Sequence, residues 1–492
     1  SDVCSSDLTK AGRDTLWMIV SLALGFLVSR LPAQAPLTQE GLCVLGVFLA
    51  SLLMWITISI SWPSLITLLL LGFLPHFGFP AVFRGAFGNV TVAFLLFTFV
   101  LVYPLSKTNF VRRCTVAFVT NRIARKGPWY FVTFLFFAVT FMGLFISPSV
   151  LFVAFMPFLE DIYQVLEIRK GGPTGNMLML GTAFCISLSS GMTAIGHVWP
   201  TLAIGYYKAA TGVDVNQFQY MAVGIPTGIL LVILLLAVFK WIYRPADLGD
   251  IDLAKAMSLR ELVPGATRRE IIILSVLALT VLLWVGPSFI KGVLPGLYKL
   301  TSKWTTAMPP LLGCILFFIL RDQGEPILNF QEAVSKGILW AAILMTGAAT
   351  MLGSALTNND MGIKAWLSAM LGPMAAGLSV QGVILFFFTW CILETNFSSN
   401  IVTTTVVSAV ALSVLQALPA GTVAVGAVVC LIGFGASVCN MTPAGQSTIN
   451  TVAISSGWTT ARDMFVWGGA FSVLAVLVMT FVGYPLASVI IG

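Results

Sequence analysis

The chain has 492 residues, of which 58% are hydrophobic and only 9% are charged. Soluble domains carry about 25% charged residues, so the composition excludes an ordinary soluble protein and predicts an all-α polytopic membrane protein. The apolar runs are continuous and do not alternate, which argues against a transmembrane β-barrel. The net charge of +7 comes from basic residues in loops beside apolar runs, so it does not indicate nucleic-acid binding.

The first half of the chain predicts membrane spans at 17–28, 42–60, 65–74 and 90–105. No cleavable signal peptide is recognisable, so we expect the first of these to remain as a span. Residues 107–126 then carry six basic residues and no acid, with apolar residues interleaved, as in a helix lying in the membrane interface. Three further apolar regions complete this half, at 129–168, 176–203 and 218–243.

The hydrophilic stretch 245–270 separates the two halves, and the second half repeats the alternation of apolar runs and short polar breaks. Spans are predicted at 271–285, 308–320, 339–356, 423–439 and 464–491, with a hairpin around Ser399. We therefore expect about eleven membrane-crossing helices and two re-entrant hairpins. The predicted units are N-terminal scaffold helices (1–86), a first repeat (87–243), a cytoplasmic linker (244–270) and a second repeat (271–492).

The polar run 394–405 lies between two apolar arms, each too short to cross a bilayer, which takes about 20 residues. Polar backbone at membrane depth persists only where protein or a wet cavity satisfies it. The run therefore predicts the tip of a re-entrant hairpin. The alternative is a patch of hydrogen bonds between helices, since Ser and Thr are common at such contacts.

A second copy of this arrangement favours the hairpin. Ser147-Pro148-Ser149 also lies between two apolar arms, and each tip is followed by a Met-Thr-x-x-Gly motif, within 191–197 and 440–446. The interval from tip to motif is 46 residues in the first half and 43 in the second. Interrupted segments at matching places in two halves indicate a transporter site at the interface of two repeats.

The distribution of basic residues predicts that the repeats are inverted. Six basic residues occur in 107–126, whereas the corresponding stretch 358–372 holds one, Lys364. Basic loops stay in the cytoplasm, so the first stretch is placed inside and the second outside. The N-terminus is then cytoplasmic, and the most plausible location is a bacterial inner membrane.

The tip sequence Thr395-x-x-Ser398-Ser399-Asn400 resembles the second Ser-Asn-Thr signature of the divalent anion/sodium symporter family. The resemblance extends from about residue 87 to the C-terminus and rests on order, spacing and repetition. It implies an eleven-span fold with a scaffold and a transport domain, usually a homodimer that works by an elevator movement. It also implies transport of dicarboxylates, tricarboxylates or sulfate, with sodium as the probable coupling ion and no other cofactor.

The resemblance also implies roles for individual residues. The sodium ligands carried over are Thr395, Ser398 and Asn400 at a second site and Ser147 at a first site. The two tips and the two Met-Thr breaks together are expected to bind the substrate through Ser147, Ser149, Ser399, Asn400, Thr193, Thr442 and Pro443.

The chain departs from the family pattern mainly at the first tip. Pro148 replaces the Asn of the first signature, and Gly143, at another ligand position, has no side chain. Ile401 replaces a Thr of the second signature, while His197 and Gln446 stand where the family often has a Pro-Pro-Asn run. We therefore expect the second site to carry most of any sodium dependence.

The sequence leaves alternatives for the roles of two residues and for the function of the protein. Glu394 is either functional at membrane depth or a residue that reaches water or a basic side chain. His197 either titrates near neutral pH or packs with a hydrogen bond. A sodium-independent exchanger, a proton-coupled carrier and a channel are alternatives to sodium symport. An integral-membrane enzyme is a distant one, since no catalytic motif such as H-E-x-x-H occurs.

Overall fold

The computed structural model describes residues 2–195, 197–261, 263–290, 301, 304–363, 365–366, 369–370, 379–416, 418–419 and 421–492. Two residues of the sequence argument, Gly196 of the first Met-Thr motif and Lys364, lie outside this part of the chain. The described part is almost entirely helical; its strands are β1 Arg321–Asp322 and β2 Glu325–Pro326, which form a small antiparallel hairpin.

The helices of the first half overlap all the predicted spans, and one further helix, Gly78–Phe87, was not predicted. They are α1 Asp2–Ser29, α2 Gln39–Thr57, α3 Pro63–Gly72, α4 Gly78–Phe87, α5 Val90–Val102, α6 Phe110–Val119, α7 Pro128–Gly143, α8 Pro148–Val165, α9 Pro173–Met192, α10 Val198–Thr211 and α11 Gln217–Val238. Proline occupies the first turn of α3, α7, α8 and α9, where its missing N–H costs no helical hydrogen bond. The helical part of the basic stretch 107–126 is limited to α6 and two short 3₁₀ turns.

The second half has the same sequence of elements after the linker. Its helices are α12 Arg268–Ile290, α13 Met308–Ile319, α14 Phe330–Glu332, α15 Trp340–Thr357, α16 Val380–Phe397, α17 Asn400–Leu415, α18 Val425–Gly435, α19 Ser447–Ser455, α20 Ala461–Val478 and α21 Tyr484–Ile490. The hairpin α7–α8 thus corresponds to α16–α17. The broken helix α9–α10 corresponds to α18–α19, and α11 to α20.

The two repeats run in opposite directions, as the charge distribution predicted. Gly433, near the end of α18, lies against Pro200 at the start of α10, whereas Gly426 at the start of α18 lies against Tyr207 farther along α10. α18 and α10 are therefore antiparallel, and α19 correspondingly packs against α8 and α9. The ends of α9 and α18 also meet, since Gly191 lies against Phe434 and Ser437. The two broken helices therefore pack antiparallel, and the second repeat is an inverted copy of the first.

Seven helices of the described part are long and apolar enough to cross a membrane. Two more crossings are each built from a broken helix, α9–α10 and α18–α19. One of the seven, α16, is an arm of the second hairpin. The other six, the two broken helices, and α3, α13 and the 23-residue α12 give eleven crossing segments in the described part. The predicted all-α fold with two hairpins is thereby confirmed.

The basic helix α6, the linker and the first hairpin meet at one face of the molecule. Arg113 forms two hydrogen bonds of 2.6 and 3.1 Å with the buried carboxylate of Glu270, and Arg112 pairs with Asp161 of α8. The linker residue Arg260 donates to the hydroxyl of Thr120 over 2.9 Å. The basic stretch and the linker therefore lie on the same side, as the topology prediction requires.

Candidate functional site

The two predicted tips are the points at which the hairpins turn. Residues 144–147 separate α7 from α8, whereas only Ser398 and Ser399 separate α16 from α17. The N-cap residues Ser147 and Ser399 make no capping hydrogen bond with their side chains. These side chains therefore leave the first-turn N–H groups of α17, and those of α8 after Pro148, uncapped at the positive ends of two helix dipoles.

Each tip is held by the break in its own repeat's broken helix. Thr193, directly after α9, donates its hydroxyl proton to the carbonyl oxygen of Leu144 over 2.7 Å. Thr442, at the equivalent place in the second repeat, donates to the carbonyl oxygen of Asn396. Both hydroxyl oxygens also accept a nearby backbone N–H. The two threonines thus brace the tips, and their predicted contact with substrate stays a prediction.

Asn396 adds a further anchor that the first repeat lacks. Its side chain is fully buried; its amide nitrogen donates to the carbonyl oxygen of Val438 over 2.9 Å, and its amide oxygen accepts the N–H of Met441 over 2.7 Å. The equivalent residue of the first tip is Leu144, which has no polar side-chain atoms. The second hairpin is therefore fastened to its break more firmly than the first.

Several oxygen atoms converge between the second tip and the second break. The hydroxyl of Thr395 lies 2.8 Å from the carbonyl oxygen of Ala436 and 3.3 Å from the amide oxygen of Asn400. Beside them, Gly445 leaves a space in which an added methyl carbon would lie 2.6 Å from the carbonyl oxygen of Thr395 and 2.7 Å from that of Cys439. Sodium is coordinated by carbonyl oxygens of this kind in transporters, so these residues fit a sodium ion.

The corresponding positions of the first repeat do not form such a cluster. Gly143 stands where the second repeat has Thr395, and an added methyl carbon there would lie only 1.8 Å from the hydroxyl oxygen of Ser189. The space for a ligand side chain is therefore already filled. Pro148 stands where the second repeat has Asn400, so no amide oxygen is available either. Within the described part of the chain, the residues around the first tip therefore do not fit sodium.

The hydroxyl groups of the tip serines are free among the described residues, and their contact with substrate stays a prediction. Ser147, Ser149, Ser398 and Ser399 are all half-buried, and within the described part of the chain none of their hydroxyl groups forms a hydrogen bond. Pro443 is exposed, next to the bracing Thr442. The predicted substrate-binding residues thus fall into two groups. The tip serines have free hydroxyl groups, whereas the hydroxyl groups of Thr193 and Thr442 hold the tips.

Glu394 lies in α16, one residue before Thr395, with a half-buried side chain beside Trp390. In the part of the chain that the structure describes, no Lys or Arg forms an ion pair with it. The interpretation in which a basic side chain neutralises Glu394 therefore has no support, and the residue remains a polar group at the base of the second tip.

The buried side-chain amides of several asparagines were not identified from the sequence. Besides Asn396, the side chain of Asn450 donates to the carbonyl oxygens of Cys439 and Thr442 over 3.0 and 2.7 Å. Asn440 is buried with neither side-chain atom bonded to a described residue. A usable signal was present, because an amide at membrane depth must either find partners or bind a ligand.

Inverted repeats in which each hairpin tip lies against a broken helix, and the two breaks meet in the interior, are the architecture of a secondary transporter. A search of family models agrees: the sodium:sulfate symporter transmembrane region matches residues 13–491. The chain therefore belongs to the sodium:sulfate symporter family, which confirms the resemblance to the divalent anion/sodium symporters. It is an integral membrane transporter and not an enzyme.

Individual relatives share the family over nearly their whole length. The sodium-dependent dicarboxylate transporter SdcS of Staphylococcus saprophyticus is 22% identical over 498 residues, covering 96% of this chain and 92% of that protein. SdcS of Staphylococcus aureus strain USA300 is 22% identical over 500 residues, with the same coverage. Among solved structures, the YdaH transporter of Alcanivorax borkumensis superposes with a TM-score of 0.52 at 15% identity, covering 98% of this chain and 97% of that one. That likeness concerns the fold alone.

Proposed function

We propose that this protein is a sodium-coupled secondary transporter of dicarboxylates. The observation that carries the proposal is the oxygen cluster of the second repeat: the hydroxyl of Thr395 lies with the oxygens of Asn400 and Ala436, and the carbonyl oxygens of Thr395 and Cys439 border the space left by Gly445. Ser398, at the adjacent tip, is the further sodium ligand in this proposal. The similarity to transporters named sodium-dependent dicarboxylate transporters supports the same assignment.

A doubly charged anion suits two helix N-termini better than one. α8 and α17 both begin at a tip, and both leave first-turn N–H groups without side-chain caps. Each terminus carries about half a positive charge and attracts an anionic group. We assign one carboxylate of the substrate to Ser147 and Ser149 and the other to Ser399 and Asn400.

The movement that we propose is an elevator displacement of the hairpins and broken helices against the remaining helices, in a homodimer. The basic α6 and the linker are placed in the cytoplasm, because loops rich in Lys and Arg remain there. The support for the movement and for the dimer is the family resemblance. The bacterial relatives favour the plasma membrane.

The proposal is tested by uptake into proteoliposomes. Succinate, malate, citrate, tartrate and sulfate are compared at equal concentration, with an inward gradient of sodium or of choline. We expect sodium-stimulated uptake of at least one C4 dicarboxylate. Uptake that is equal in choline but driven by internal substrate would indicate an exchanger, and uptake driven by an inward proton gradient would indicate a proton-coupled carrier.

A glycine substitution tests the second site directly. Gly445→Ala puts a methyl group between the carbonyl oxygens of Thr395 and Cys439, so we expect the sodium concentration for half-maximal uptake to rise at least tenfold. Gly469→Ala is the matched control, because its methyl group would meet only the terminal carbon of Met441, at 3.6 Å. An unchanged sodium response in Gly445→Ala would remove the second site from the proposal.

A further inference from the structure

We propose that His197 takes the place of a coupling cation at the first hairpin. The inference deepens the proposed function and rests on it in one respect, the use of sodium at the second site. The two repeats share one inverted architecture but differ at their tips: the described residues of the second tip fit sodium, whereas those of the first tip do not.

The equivalent carbonyl groups of the two repeats have different partners. In the first repeat, Nε2 of His197 lies 3.0 Å from the carbonyl oxygen of Gly143. In the second repeat, the equivalent carbonyl belongs to Thr395 and faces the space beside Gly445. Gln446, the counterpart of His197, does not satisfy that carbonyl, since its buried amide nitrogen has no partner among the described residues.

The hydrogen bond fixes the role of the imidazole. A carbonyl oxygen can only accept, so Nε2 must carry a proton and donate it. His197 is 1% exposed, and its other ring nitrogen, Nδ1, has no hydrogen-bond partner among the described residues. The ring therefore presents a fixed N–H dipole to the oxygen that a cation would otherwise coordinate, in both the neutral and the protonated state.

Among the residues that the structure describes, the remaining groups around the first tip offer no side-chain oxygen ligands like those of the second tip. Ser189 fills the space beside Gly143, and neither Gly143 nor Pro148 has a side-chain oxygen. The N–H of His197 is always present at the Gly143 carbonyl oxygen and holds the first tip in place without an ion. Sodium is therefore not needed to order the first tip in each transport cycle. The expected consequence is coupling to one sodium at the second site, with a hyperbolic sodium dependence.

Two substitutions separate this role from simple packing. His197→Gln keeps an N–H donor of similar reach, whereas His197→Ala removes the donor and opens a space beside the Gly143 carbonyl oxygen. The apparent melting temperature of purified protein is measured without substrate, as sodium replaces choline at constant ionic strength. Native protein and His197→Gln should show the same melting temperature in choline and a sodium response with a Hill coefficient near 1.

His197→Ala should melt lower in choline and should regain stability in a second, weaker sodium phase, because the ion can now reach the carbonyl oxygen. A Hill coefficient near 2 in native protein would overturn the proposal. So would a His197→Gln protein as unstable as His197→Ala, or a folded His197→Ala protein without the second phase. If His197→Ala does not fold, the native Hill coefficient and the His197→Gln melting temperature decide. Absence of any sodium response in native protein would instead refute sodium coupling at the second site, while the comparison of the two variants still tests His197.

Discussion

Removing the side chain of Asn396 should loosen the second hairpin more than any other single truncation at the tip. Asn396→Ala leaves two backbone groups unpaired: the buried carbonyl oxygen of Val438, which now accepts over 2.9 Å, and the partly buried N–H of Met441, which now donates over 2.7 Å. Each such buried group costs about 1–3 kcal/mol when it is left without a partner. We therefore expect a loss of about 2–6 kcal/mol in the stability of the tip.

The assay is thermal unfolding in detergent with a thiol-reactive or intrinsic-fluorescence readout. Unfolding of a protein of this kind is usually irreversible, so the melting temperature is compared at one scan rate. Thr389→Ala is the matched control. It removes a hydroxyl group from the same helix, and that hydroxyl group forms no hydrogen bond with any described residue. A melting temperature for Asn396→Ala within a degree or so of the control would refute the bracing role.

Three further predictions follow from the same contacts. Asn400→Ala should abolish transport while the protein still folds, because the amide oxygen lies in the sodium cluster; near-normal uptake would favour the alternative of hydrogen bonds between helices. Arg113→Ala should destabilise the protein by about 3–5 kcal/mol, because it leaves the buried carboxylate of Glu270 unpaired. The control Lys208→Ala breaks the exposed ion pair with Asp214 and should cost about 0.2–1 kcal/mol. Equal melting temperatures of the two variants would contradict this prediction. In a protein without native cysteines, Arg122→Cys should react with an impermeant thiol reagent only from the cytoplasmic side, and labelling from outside would reverse the topology.

The sequence determined the elements of this protein. Hydrophobic runs, prolines at first turns and small polar tips are local features, and each acts where it occurs because the bilayer excludes unsatisfied backbone. Ser147 and Ser399 were therefore identified as tips, and the matched Met-Thr motifs as breaks, without a structure. The inversion of the repeats was also predicted, because basic residues are retained on one side of the membrane.

The tertiary structure decided which atoms meet at the tips. The hydroxyl groups of Thr193 and Thr442 hold the carbonyl oxygens of the tips, a contact that no local pattern predicted, while their contact with substrate stays a prediction. The pairing of His197 with Gly143 joins residues 54 positions apart, and no local pattern specifies such a contact. Whether an oxygen is free for a cation depends on which donor the packing brings to it. The difference between the two sites is therefore a property of the folded chain, and the sequence alone shows only that the ligands differ.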